Sequence, residues 1–235
     1  MAGGLALGLA GFLAARGTRT VTVTVVAPPA GTQQGAPVVV TIDPAREDGL
    51  TPFRKFSVSH GVTGCGTERA AVKHLTDGLV LPARATVMTP EQLVAMAAPP
   101  VTQDSPRFPV ERQLVALVNV HVIAVKQEAD SDLHVLLTSP TGAELNVEAP
   151  QAQCEAGSPY LDLLTRARQS MDAAMPNASS SSYTPENFTA TIEGVLFFDV
   201  LHGQRGAPNG VELHPVTYFS AIGGPAPHTS KRRRH

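Results

Sequence analysis

Two stretches of the chain bring histidines and carboxylates to spacings at which they could do chemistry together. The first runs Asp130-Ser131-Asp132-Leu133-His134, and after the turn Ser139-Pro140-Thr141-Gly142 it continues as Glu144-Leu145-Asn146-Val147-Glu148. A hairpin turn over Pro140–Gly142 pairs Ser139 with Ala143. Counting outward in antiparallel register then sets His134 opposite Glu148, with Asp132 further out on the same face. The second stretch, DVLHGQRGAPNGVELHPV, contributes Asp199, His202, Asn209, Glu212 and His214. Imidazole is the commonest metal ligand near neutral pH, and carboxylates are its usual hard partners. If the strands close on one another, His134, Glu148, His202 and His214 become a divalent-metal set, with Asp132 and Glu212 beside them. The same residues also read as a hydrogen-bonded network with a purely structural role. Taking His202, Asn209 and His214 as an H…N…H nuclease motif is weaker, because that motif needs a helix after the last His and none is expected. No G-x-x-x-x-G-K, G-x-S-x-G or H-E-x-x-H is present.

These residues need strands to position them. Gln113–Gln127 is a long β-branched run, read with Leu114, Ala116, Val118, Val120, Val122 and Ala124 on one face. His134–Ser139 and Glu144–Ala149 follow as a hairpin across Gly142, which supplies the positive φ the turn wants. Ser158-Pro159 then opens a helix whose apolar positions are Leu161, Leu164, Ala167 and Met171, and Pro176 stops it. Arg166, Arg168 and Asp162 fall largely on its other faces. After a Ser-rich loop, Phe188–Asp199 and Val211–Phe219 are the last strands, with Pro215 read as marking an edge or barrel-mouth position. Three strands, a helix and two strands is the order of a five-stranded OB-like barrel, and an open α+β sandwich is the rival. The fold expected is therefore mainly β: a small OB-like barrel over residues 110–220 with one helix between its third and fourth strands. Ahead of it, residues 65–109 hold short helices, among them one capped by Thr89-Pro90, and a linker packing on the barrel.

Residues 1–17 are a candidate signal peptide, built on the apolar run MAGGLALGLAGFLAA. That run is too short to span a bilayer, so no transmembrane span is expected. Residues 18–64 form a loosely organised extension with strands at 18–26 and 38–42, and 221–235 is a basic tail. Apolar residues make up 43% of the chain but aromatics only 5%, so a core must be built from Val, Leu, Ala and Ile. A formal charge of −2 and the lack of an aromatic, Lys/Arg-interleaved strand leave nucleic acid unsupported as a partner. The two cysteines, Cys65 and Cys154, lack metal-type spacing. In an exported chain they are a candidate disulfide worth roughly 3 to 5 kcal/mol in the chain-entropy account.

CGTERAAVKHLTDG, ADSDLHVLL, LNVEAP and FFDVLHGQRGAPNGVELHPV together resemble a family of uncharacterised bacterial proteins, many of them exported. The shared pattern is an acidic turn leading into D-x-H, a Glu on the next strand, and HG…ELHPV. The resemblance covers roughly Cys65 to Val216 and brings no established activity. By position it implies the same set: Asp132, His134, Glu148, His202, Glu212 and His214. The expectation is an exported, non-enzymatic binding module of unknown ligand, in a secreted, periplasmic or cell-envelope setting, with the polar cluster at the barrel mouth. A metal-dependent hydrolase acting on phosphodiesters and a purely structural domain are the alternatives.

Overall fold

The computed structural model describes residues 64–222. The candidate signal peptide, the strands expected at 18–26 and 38–42, and the basic tail beyond residue 222 lie outside the described residues; Ala221 and Ile222, expected to begin that tail, end the last strand.

The described residues are mainly sheet. Six strands form one mixed sheet: β1 (Thr86–Val87), β2 (Leu114–Gln127), β3 (Leu133–Thr138), β4 (Glu144–Ala149), β5 (Thr184–Phe198) and β6 (Val211–Ile222). The helices are α1 (Ala70–Lys73), α2 (Pro90–Val94) and α3 (Leu161–Ala174), with a 3-10 turn at Pro109–Arg112. The strand order is β1-β2-β3-β4-β6-β5, and β2 also pairs with β5. So β2, β3, β4, β6 and β5 each have hydrogen-bonded neighbours on both sides. Pairing is antiparallel except for β1 with β2 and β4 with β6. The sheet thus has one strand more than the sequence leads one to expect, because Thr86-Val87 adds a short parallel strand at Val115 and Ala116. Among the described residues no helix is long and apolar enough to cross a membrane.

The period-two pattern holds in β3, β4 and the start of β6. Leu133, Val135 and Leu137, then Leu145, Val147 and Ala149, then Val211 and Leu213 enter the main core. In β2 the expected single face does not survive. The register slips between Leu117 and Val120 and again between Val122 and Ala124, and Asn119 takes a positive φ of 54°. Each bulge inverts the alternation. Val115, Leu117, Val120, Val122 and Val125 therefore face the main core, Leu114 and Ala116 face a second cluster, and Val118 is 38% exposed. Pro215 is a second correction. It lies inside β6, whose two sides bond β4 and β5, next to the slip between Gly194 and Leu196. A register irregularity tolerates the missing N–H as well as an edge does.

Helix α3 begins at Leu161, later than the Ser158-Pro159 signal suggests, although Ser158 Oγ does accept the Tyr160 N–H at 3.3 Å. Its Ala167 and Met171, with Met175 just beyond, close the core. Arg168 is buried rather than surface-facing. It donates to Ser131 O (2.9 Å), Ala149 O (2.6 Å) and Gln127 Oε1 (2.7 Å), and so ties the helix to the strand ends that flank Asp132 and Glu148. Thr89 caps α2 as expected, with Gln92 completing the capping box.

Candidate functional site

The residues that alternate with the core positions of β3, β4 and β6 point to the opposite side of the sheet, and there, Leu136 apart, they are polar. His134 pairs with Glu148 across the hairpin, in the register the turn dictates. Asn146 of β4 pairs with Glu212 of β6 by the parallel ladder, which also carries His214 onto this face. Asp132 stands at the entry to β3. These side chains are sealed: His214 is 0% exposed, Asp132 and Glu212 1%, His134 3% and Glu148 7%.

Glu148 is the hub. Its Oε1 lies 2.9 Å from His134 Nδ1 and its Oε2 3.1 Å from His214 Nδ1. Glu212 Oε1 is 3.3 Å from the same His214 nitrogen, and Glu212 Oε2 accepts a short hydrogen bond from Asn146 Nδ2. Carboxylates at Nδ1 make that nitrogen the donor, so each imidazole turns its Nε2 elsewhere. His214 Nε2 faces Asp132 Oδ2 at 3.7 Å. His214 Nε2, His134 Nε2 and Asp132 Oδ1 are buried and take no hydrogen bond. Orphaned buried polar atoms are uncommon and mark a site that can accept a further group.

The electrostatics follow from burial. Desolvation lifts Asp132 to a pKa of about 7, against the pull of His214. Desolvation, then the charge of Glu148, lifts Glu212 to about 7 as well. Burial alone would push both histidines down, but the surrounding carboxylates together outweigh it: His134 is raised, by Glu148 above all, and His214 is raised to about 10 by Glu148, Glu212 and Asp132. Glu148 would likewise be raised by burial, yet its two imidazole partners hold it well below the usual carboxylate range.

Three further elements cover this face. The segment ahead of the sheet crosses it: Gly64 O accepts from Ser131 Oγ at 2.8 Å, and Cys65 is joined to Cys154 by a disulfide. Arg69 then binds Glu111 through its two terminal guanidinium nitrogens, at 2.8 and 2.7 Å. Lys73 of α1 follows, buried, 3.8 Å from Asp199 Oδ1. The loop between β5 and β6 presses in from another side. Gly206 has φ 135° and abuts Asn146 Oδ1 so closely that a Cβ there would collide with it. Asn209 fixes that loop by donating to Leu93 O and Met96 O, each at 3.0 Å. Tyr183 packs edge-on against the His134 ring at 5.7 Å.

The structure thus gathers Asp132, His134, Glu148, Glu212 and His214. It does not gather His202. That residue is exposed on the loop, with its Nδ1 on Val200 O at 2.8 Å and its N–H on Gln204 Oε1. The reason is local: His202 sits in the irregular stretch between the strands, where no ladder aims it at the sheet. The cluster lies on a strand face under the preceding segment. Asn146 and Lys73 were not singled out by the sequence. Asn146 has a signal, since it shares a strand face with Glu148. Lys73 has none, because it comes from a short turn of helix far away in the chain. No family model, curated protein or solved structure matches the chain.

Proposed function

We propose that this chain is an exported binding module on an OB-like barrel and that its strand cluster binds one divalent transition-metal ion. The barrel reading is supported by the cycle of pairings from β2 through β3, β4, β6 and β5 back to β2, with α3 between β4 and β5. The observation that carries the ion is that Asp132, Glu148 and His214 each offer a ligand atom, all within 4.8 Å of one another, on buried residues. Ligands about 2.0 to 2.2 Å from one ion stand roughly 3 to 4 Å apart, and His214 Nε2 and Asp132 Oδ2 are 3.7 Å apart. A ligating histidine usually donates its other ring N–H to a carboxylate, which fixes the tautomer; Glu212, 3.3 Å from His214 Nδ1, serves His214 in that way. Mixed imidazole and carboxylate ligands suit zinc or manganese. A hydrolytic ion needs a face open to water and substrate. These residues are covered, so binding rather than turnover is assigned. The OB-like export module also fits the disulfide, which is at home outside the reducing cytosol.

Elemental analysis of protein purified without chelator tests the reading. About one zinc or manganese per chain is expected, lost in His214→Ala and in Asp132→Ala. Metal-free protein that takes up neither ion on titration would overturn it.

A further inference from the structure

Besides the two histidines, the covered face carries a lysine ammonium. Lys73 is brought over the cluster by α1 and is 6% exposed. Its ammonium sits 5.6 Å from the Phe197 ring, which also lies 5.5 Å from the His214 ring, and it feels the negative charge of Glu148, Glu212, Asp199 and Asp132. The contact is loose. The ion pair with Asp199 Oδ1 is 3.8 Å long, beyond hydrogen-bond range, and Asp199 Oδ1 takes no hydrogen bond from any other group. The position of Lys73 is set by other groups: the Cys65–Cys154 disulfide and the Arg69–Glu111 pair hold the segment in place.

Buried carboxylates need positive charge, and in this cluster an ammonium and an ion would serve the same need. A tethered group acts at an effective concentration of roughly millimolar order. A doubly charged ion and an ammonium held in one low-dielectric site repel by much more than thermal energy. We propose that Lys73 is the internal counter-ion of the cluster and that a divalent ion enters in competition with it, so that Lys73 sets how tightly the site holds metal. The inference rests on the ion-binding reading above.

Zinc affinity of the oxidised full chain, measured by competition with a chromophoric chelator, tests it. Lys73→Met keeps an apolar stem against Phe197 and removes the charge; it should bind zinc at least about tenfold more tightly than the parent protein. Lys73→Arg keeps a cation there and should stay within about twofold. Should Lys73→Met fail to fold by its thermal transition, Lys73→Gln replaces it with the same expectation. Equal or weaker zinc binding by the charge-free variant overturns the role of Lys73 and leaves the ion site standing. No zinc binding by any of these proteins overturns the ion site, and the competition with it.

Discussion

The two faces of the β3–β4–β6 surface are built from the same strands, residue by alternate residue, and obey different rules. On the inner side Val135, Leu145, Val147 and Leu213 are apolar and buried, and each asks of its neighbours only shape. On the outer side His134, Asn146, Glu148, Glu212 and His214 are buried just as deeply, and each needs a particular partner. The inner face gains from leaving water. The outer face loses hydration and recovers it through directed bonds. Burial by itself therefore says little about robustness. An apolar face tolerates approximate replacement, whereas a polar one fails wherever a single partner goes missing.

Neighbouring residues on β4 offer the most direct way to break this contrast. Glu148→Ala leaves two buried imidazoles without their acceptor and should cost about 3 to 5 kcal/mol. Val147→Ala removes part of a core side chain and should cost about 1 to 3 kcal/mol. Urea denaturation of the two variants checks the order, and a larger loss for Val147→Ala would show that the polar face is not held by Glu148.

The pH dependence of metal-free protein should also expose the outer face. Asp132 and Glu212 rise from ordinary values of 3.8 and 4.5 to about 7 on folding. An acid whose pKa is higher when folded favours the folded state at low pH, and that contribution is lost as pH climbs through the folded value. His214, raised from 6.5 to about 10, likewise contributes fully below 6.5 and less as pH approaches 10. Glu148 is lowered, so its contribution disappears only on acidification below its ordinary value of 4.5. Melting temperature in the presence of a chelator should thus fall steadily from about pH 5 to about pH 9. A rise over that window would contradict the protonated network.

The smallest effect should come from His202, which the sequence reading groups with the cluster and the fold leaves outside it. His202→Ala should change stability by no more than about 0.5 kcal/mol and leave the metal content unchanged. Loss of the ion in that variant would return His202 to the site.

Much of this arrangement was written in the order of residues. The turn at Pro140–Gly142 fixes the hairpin register, because side chains alternate strictly and a slip of one residue would send Leu145 and Val147 out and Glu148 in. His134 opposite Glu148 follows from that local rule, and the β-branched runs place β2, β5 and β6 with similar directness. The β2 bulges escaped because nothing in Val118-Asn119 demands them; the demand comes from matching β3 on one side and β5 on the other.

What the sequence by itself determined is the alternation on β3 and β4, the hairpin pairing and the identity of two cysteines able to join. Those depend on neighbours in the chain or on residue chemistry. Only the tertiary structure decided that Glu212 and His214 meet Glu148, because the parallel pairing of β4 with β6 bridges residues separated by a helix and a strand. It alone also put Lys73 over the carboxylates and left His202 in solvent. Contacts of that kind are set by how whole elements pack against one another, and no local spacing encodes them.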